Sequence, residues 1–366
     1  MTFVARLLIA CLAAVVIASA APLPPRVVAI GDVHGDLDTF VAILQDAGVV
    51  DARRKWVGGT TVLVQTGDVV DRGPQSRKVM DLLIDLDKQA RKAGGQVHAL
   101  LGNHEVMNLL GDLRYVSAEE YASYASGDAD DVREQVYAAS VQPPQRDDPA
   151  FKAKWMAAHP RGWVELVRAF GAKGKYGRWL RQHDTVVKVG DTLFLHGGIS
   201  PKYAALSASD INERIRKGIA SDTPETEPLL TDEEGPLWYR GLALAPEETL
   251  VAHVDALLAL HGVSRIVIGH TVAPGVVLPR FGGKVILNDV GLSPAYGGPP
   301  SSLEIQGATV TVRHRGTPLA VPNSPDISAY LAQALALEPA ESRLREWMAR
   351  GAAWPPPAAS APPVAP

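Results

Sequence analysis

Cysteine is almost absent from this sequence: Cys11 is the single one in 366 residues. It sits in a stretch that reads as a removable leader, so the mature chain has no disulfide, no sulfur ligand and no thiol nucleophile, and every cysteine-based mechanism is excluded. Clusters of Lys and Arg are also missing. With a formal net charge of -4, the chain offers no electrostatic footprint for nucleic acid. The balance of apolar (46%) and charged (21%) residues is that of an ordinary globular protein, long enough for one large domain or two small ones. Its stability must come from an apolar core.

The long apolar run is at the N-terminus. "MTFVARLLIACLAAVVIASAAPLPP" has an arginine near its start, an apolar segment from Leu7 to Ile17, and Ala18-Ser19-Ala20 ahead of prolines, the order of a secretory signal. The run is short for a bilayer span and proline follows it closely, and Cys11 comes too early in it for a lipoprotein box. Residues 1–20 are therefore expected to be a cleaved signal peptide that sends the chain across the inner membrane to the periplasm, with no stable membrane insertion afterwards. Residues 21–335 are the expected catalytic domain. Within it, about 114–183 form a helical insert in which "AEEYASY", "DDVREQVYAAS" and "GWVELVRAFG" read as helices. An insert of this size after a motif loop is a cap over a site, helical packing on the sheet, or both. Residues 336–366 hold a closing helix in "LEPAESRLREWMARG" and a disordered Pro/Ala tail, "AAWPPPAASAPPVAP", that lacks the apolar surface to fold.

What recurs in the chain is a short apolar run that ends in Asp, Asn or His. It occurs in "VVAIGDVHGD" at 27–36, "TVLVQTGDVVDRG" at 61–73, "QVHALLGNHE" at 96–105, "DTLFLHGG" at 191–198, "SRIVIGH" at 264–270 and "KVILNDVG" at 284–291. Runs that are apolar throughout are strands covered on both faces. In open α/β sheets ligands bind beyond the carboxyl ends of such strands, so one crevice would collect these groups. Gly and Asp also mark ordinary turns, but six turns with the same chemistry in the same strand context are a pattern.

The collected groups are Asp32, His34, Asp68, Asn103, His196 and His270. Hard oxygen donors and neutral imidazoles without sulfur suit Mn, Fe or Zn, and six ligands exceed what one catalytic ion needs. With Asp68 as a bridge, one ion takes Asp32, His34 and Asp68 and the other takes Asp68, Asn103, His196 and His270. Two divalent metal ions about 3.5 to 4 Å apart are the arrangement for in-line displacement at phosphorus. Arg72 offers a planar fork to phosphate oxygens. His104, beside a ligand but not one itself, is placed as general acid for the leaving oxygen, with Asp71 to orient it. His98, His159, His183, His253 and His261 are read as ordinary histidines.

"GDVHG", "GDVVDRG", "GNHE", "HGG" and the final "GH" together resemble the signature of the calcineurin-like metallophosphoesterases, within the phosphoprotein phosphatase superfamily. "LLGNHEVMNLLGDLRYV" and "RIVIGHT" are more similar still to the bacterial-type Shewanella-like protein phosphatases, and the resemblance runs from about Val27 to Glu304. It implies a four-layer α/β/β/α sandwich with a helical cap insertion and a dinuclear site above the central sheets. It also implies a phosphatase that hydrolyses phosphomonoesters by direct attack of metal-bound hydroxide, without a phosphoenzyme. The family's ligands, acid pair and first arginine fall on the residues already named; a second substrate-binding arginine corresponds to Arg240 in "PLWYRG" and a tyrosine to Tyr296 in "SPAYGG". The implied partner is a phosphorylated protein or peptide, with phosphotyrosine preferred over phosphoserine and phosphothreonine. Rival readings are a small-molecule phosphohydrolase, such as a symmetrical dinucleoside tetraphosphatase, and an inactive binding module of the same fold.

Overall fold

The computed structural model describes residues 25–221, 223–351 and 354; the expected signal peptide lies outside them, as does the Pro/Ala tail apart from Trp354. Three strand-then-helix units come first: β1 (Val27–Ile30) leads to α1 (Leu37–Asp46), β2 (Val62–Gln65) to α2 (Ser76–Lys92), and β3 (Gln96–Ala99) to α3 (Asn103–Leu110). The strands pair in parallel, Val27 with Val62 and Val62 with Gln96, and β1 and β2 are buried along their whole length. Their unbroken apolar sequence follows from cover on both faces. Helix α1 shows the complementary pattern. Leu37, Phe40, Val41 and Leu44 form its buried stripe, and the Asp36 carboxylate accepts the Thr39 N–H at its start, satisfying one of the free donors of the first turn.

The insert folds as five helices, α4 (Ala118–Tyr124), α5 (Ala129–Ser140), α6 (Pro149–Ala158), α7 (Trp163–Phe170) and α8 (Lys175–Leu180). They pack on one another and on α2 and α3, with Tyr176 donating to Asp81 and Arg77 donating to the Ser123 carbonyl. The chain then continues through β4 (Val186–Val189), β5 (Thr192–Leu195), α9 (Ala208–Ala220), α10 (Gly241–Leu244), α11 (Glu247–His261), β6 (Arg265–Ile268), β7 (Leu278–Arg280) and β8 (Val285–Leu287). It closes with the meander β9 (Ser301–Gln306), β10 (Thr309–His314) and β11 (Thr317–Ala320), followed by α12 (Ser328–Ala336) and α13 (Arg343–Ala349).

Two mixed sheets result, one in the order β11-β10-β9-β1-β2-β3 and the other β4-β5-β6-β8-β7. Each contains a parallel trio, β1-β2-β3 and β5-β6-β8, and all six apolar runs read from the sequence are these six strands. The expected sandwich of two sheets with helices is the observed fold. The carboxyl ends of the two trios meet. A Cβ on Gly31, just past β1, would lie 2.3 Å from the Asn288 carbonyl oxygen past β8, and one on Gly269, past β6, would lie 2.4 Å from an Asp32 carboxylate oxygen. Only glycine permits this approach.

Leu344 and Trp347 of α13 are buried in the same core as the strands. Trp354, in the stretch expected to be a tail, has its indole N–H donating to the Ala243 carbonyl at 2.9 Å. A large ring with one donor finds enough surface and a partner even in a Pro/Ala context. Among the described residues no helix is long and apolar enough to cross a membrane.

Candidate active site

The loops after β1, β2, β5 and β6 and the first residue of α3, after β3, deliver the expected residues to one place, where Asp32, His34, Asp68, Asn103, His196 and His270 are each at most 6% exposed. The backbone there is unusual. His34, Asp68, Asp71, Arg72 and His270 all have positive φ, between 45° and 68°, a conformation that costs residues with a Cβ about 1 to 3 kcal/mol each and persists only where neighbours over-determine it. They do so here. Val33 and His34 both donate to the Asp68 carbonyl, and the Glu105 carboxylate accepts four backbone N–H groups, from Asp68, Val69, Val70 and Gly102.

Each candidate imidazole is tied by one nitrogen to a main-chain carbonyl: His34 Nδ1 to Val70 at 2.9 Å, His196 Nδ1 to Thr66 at 2.9 Å, and His270 Nε2 to Trp238 at 3.0 Å. A carbonyl only accepts, so the tied nitrogen carries the proton and in the neutral ring the other nitrogen carries a lone pair, the usual support of a metal-binding histidine. Two compact donor groups form, His34 with Asp68 and His104, and Asp68 with His196 and His270, the donor atoms of each lying within 4.8 Å of one another. Asp68 belongs to both. Its Oδ2 is 3.7 Å from His34 Nε2 and 3.3 Å from His196 Nε2, and Asn103 Oδ1 is 2.9 Å from His196 Nε2. Asp32 lies in neither compact group but borders the second, accepting the His270 backbone N–H and standing 4.0 Å from His196 Nδ1.

Electrostatics match the donor chemistry. Burial, and after it the His104 ring, pushes His34 down to about 3, and burial also holds His270 far below the usual imidazole range, so both are neutral. Burial raises Asp32, with Asp289 and Asp68 adding repulsion, and pushes Asp289 up to about 6. Asp68 is pulled well down: burial opposes ionisation there, but His196, His104 and His34 together outweigh it. Neutral imidazoles and crowded buried carboxylates fit divalent ions, whose charge relieves the crowding.

Beside these donors, His104 Nδ1–H donates to Asp71 Oδ2 at 2.6 Å, and Asn108 donates to Asp71 Oδ1 at 2.9 Å. Burial disfavours the imidazolium of His104, but Asp68 and Asp71 override it and raise its pKa above the ordinary value. The Arg72 guanidinium lies over the rings of Tyr115 and Tyr296, 4.9 and 5.3 Å from their centres, and its buried Nε has no partner in the protein. Arg240 is anchored by Nη1 to the His270 carbonyl at 2.7 Å and to Thr271 Oγ1.

The calcineurin-like phosphoesterase family model matches residues 25–274, the segment that carries nearly all of these groups. The chain belongs to the calcineurin-like phosphoesterases. It is 31% identical over 298 residues to Shewanella-like protein phosphatase 2 of Arabidopsis thaliana, covering 77% of this chain and 75% of that one. It is also 31% identical to the crystal structure of a cold-active protein-tyrosine phosphatase from a psychrophilic Shewanella species, with a TM-score of 0.62 over 81% of this chain and 80% of that one. A symmetrical bis(5'-nucleosyl)-tetraphosphatase of Cronobacter sakazakii is 38% identical over 77 residues, 21% of this chain.

In this phosphoesterase, sequence reading missed residues that touch no ligand themselves. Glu105 was within reach of it, since a Glu three positions past the cap of α3 is the usual acceptor for a cap N–H. Asp289 ends the apolar run of β8 just as the assigned ligands end theirs. Asn108 and Tyr115 leave no such trace. The unpartnered Nε of Arg72 yields a prediction. Arg72→Ala is expected to lower kcat/KM by roughly 10- to 100-fold, the worth of a hydrogen bond to a charged group, while elemental analysis finds bound metal unchanged; unchanged activity would make Arg72 a structural arginine.

Proposed function

We propose that this calcineurin-like phosphoesterase is a metal-dependent protein phosphatase that hydrolyses phosphomonoesters and prefers phosphotyrosine, acting in the periplasm after export. The observation that carries the reading is the pairing of a fixed proton donor, Asp71–His104, with an unpartnered guanidinium donor on Arg72 at the edge of the carboxylate and imidazole cluster. Asp32, His34, Asp68, Asn103, His196 and His270 would hold divalent ions, a pair sharing Asp68, which supply Lewis acidity and lower the pKa of water. Arg72 binds and orients the phosphoryl oxygens through its fork, with Arg240, anchored at the His270 carbonyl, as the second arginine. His104, fixed by its Nδ1 bond to Asp71, would give its Nε2 proton to the leaving oxygen. Tyr115 and Tyr296 line the Arg72 side with flat apolar surface, which favours an aromatic leaving group. The tyrosine phosphatase named in the Shewanella structure points the same way.

The rival tetraphosphatase reading has similarity over less of the chain behind it, at most half. The test is a panel of phosphopeptides and diadenosine tetraphosphate, assayed with purified protein reconstituted separately with Mn, Fe and Zn. The expected order of kcat/KM is phosphotyrosine above phosphoserine and phosphothreonine, with the dinucleotide last. Preference for phosphoserine would overturn the tyrosine assignment, preference for the dinucleotide would overturn the protein phosphatase, and no turnover with any metal would leave a binding module.

A further inference from the structure

Asn108 lies inside α3 and is buried there, between Val106, Met107 and Leu109, which are buried and apolar. Asn is a weak helix former whose amide competes for backbone groups, so an apolar side chain would fill this position at less cost. The amide accounts for the choice. Its Nδ2 donates to Asp71 Oδ1 at 2.9 Å and to the His104 main-chain carbonyl at 3.0 Å. Since a main-chain carbonyl cannot donate, the amide nitrogen has to face this way, and both of its hydrogens are used. His104 and Asn108 are four positions apart, one helical turn, and so share a face of α3. From that face they hold the two oxygens of a single carboxylate: His104 Nδ1 donates to Asp71 Oδ2 at 2.6 Å, and Asn108 takes Oδ1.

Among the described residues no third side chain bonds that carboxylate. Asp71 is fully buried, and it belongs to no strand or helix, with φ at 68°, so no regular backbone ladder fixes where its side chain points. Held by His104 alone, the carboxylate is free to turn about that one bond. A second bond from the same helix fixes its plane, and the tie to the His104 carbonyl keeps the amide itself from turning. We infer that Asn108 is a positioning residue, which locks the Asp71 carboxylate so that His104, clamped at Nδ1, keeps Nε2 directed to the leaving oxygen. The inference rests on the proposed roles of His104 and Asp71. Without the amide, Asp71 Oδ1 becomes a buried acceptor with no partner. The carboxylate then turns to find one, and the imidazole loses its fixed direction.

Asn108→Ser is the informative change. A serine inside a helix returns its hydroxyl to the carbonyl four positions back, so this variant keeps the contact with His104 and gives up the one with Asp71. In the full chain it should keep the wild-type metal content and KM for a phosphotyrosine peptide, yet lose roughly 10- to 100-fold in kcat, as for removal of an outer partner of an active-site group. On p-nitrophenyl phosphate, whose leaving group needs little acid, the loss should shrink. If Asn108→Ser does not fold, Asn108→Leu, of nearly the same shape, should show the same pattern. The decisive measurement is the cycle with Asp71→Asn. A residue that acts through the Asp71 carboxylate has nothing left to orient once that charge is gone, so the double variant should be no slower than Asp71→Asn alone, whereas independent structural damage multiplies the two losses. Multiplied losses, equal losses on both substrates, loss of metal, or wild-type kinetics in a folded Asn108 variant would each overturn the inference. His104→Asn and Asp71→Asn, measured in parallel, separate the two levels. If neither shows a leaving-group dependence, the general-acid reading falls; if both do and the Asn108 variant does not, the inference falls alone.

Discussion

Asp68→Asn is expected to release bound metal and to lower kcat/KM by at least about 10³-fold, since a shared anionic ligand contributes several kcal/mol to a two-cation site. Asp68 is the residue common to both donor groups. It stands among His34, His104 and His196, which already hold its carboxylate in the charged form. Asparagine is nearly isosteric and can still accept the His104 backbone N–H that Asp68 Oδ1 takes at 3.1 Å, so the loop keeps its shape and the loss is one of charge. The amide can hold one cation weakly but cannot offset the repulsion of two. Elemental analysis together with a thermal melt checks this: a folded variant with the wild-type metal content would overturn the shared-ligand assignment.

The second large effect belongs to His104. His104→Asn should leave metal content and fold intact and lower kcat by roughly 10² to 10⁴ on a substrate with a basic leaving group, the range for loss of a general acid. On p-nitrophenyl phosphate the loss should shrink, because that leaving group departs without help. Asp71→Asn should show the same dependence in milder form, as it removes the carboxylate that orients the ring and raises its pKa. Since His104 Nε2 is also 3.8 Å from Asp68 Oδ2, the two measurements separate two roles. A proton donor gives a leaving-group dependence with full metal content, and a ligand gives metal loss with no such dependence.

The strands and the first layer of the site were legible because they carry their signal in adjacent residues: an apolar run of about four, then a residue type rare at the end of a buried strand. Arg72, His104 and Asp71 followed, since they lie within a few positions of ligands. The support was not legible, for a physical reason. Glu105 acts on main-chain N–H groups, which look alike in every sequence. Asn108 meets Asp71 from 37 positions away, and the Tyr115 carbonyl meets the Arg72 N–H only in the folded chain. Trp354 packs against the core and bonds Ala243, a contact that the composition of its Pro/Ala neighbours does not reveal.

The ligands also come from both halves of the sandwich: Asp32, His34, Asp68 and Asn103 follow strands of the first sheet, and His196 and His270 follow strands of the second. Neither sheet alone can hold a full set, and the glycine contacts at Gly31 and Gly269 show how close the halves must come before the set is complete. An ion held by residues from both sheets would act as a clasp between them. Any ion that binds the folded chain and not the unfolded one would deepen the native well in proportion to the logarithm of its free concentration. Starved of metal, the enzyme would lose its grip across the sheet interface along with its chemistry, making it easier to unfold and to clear.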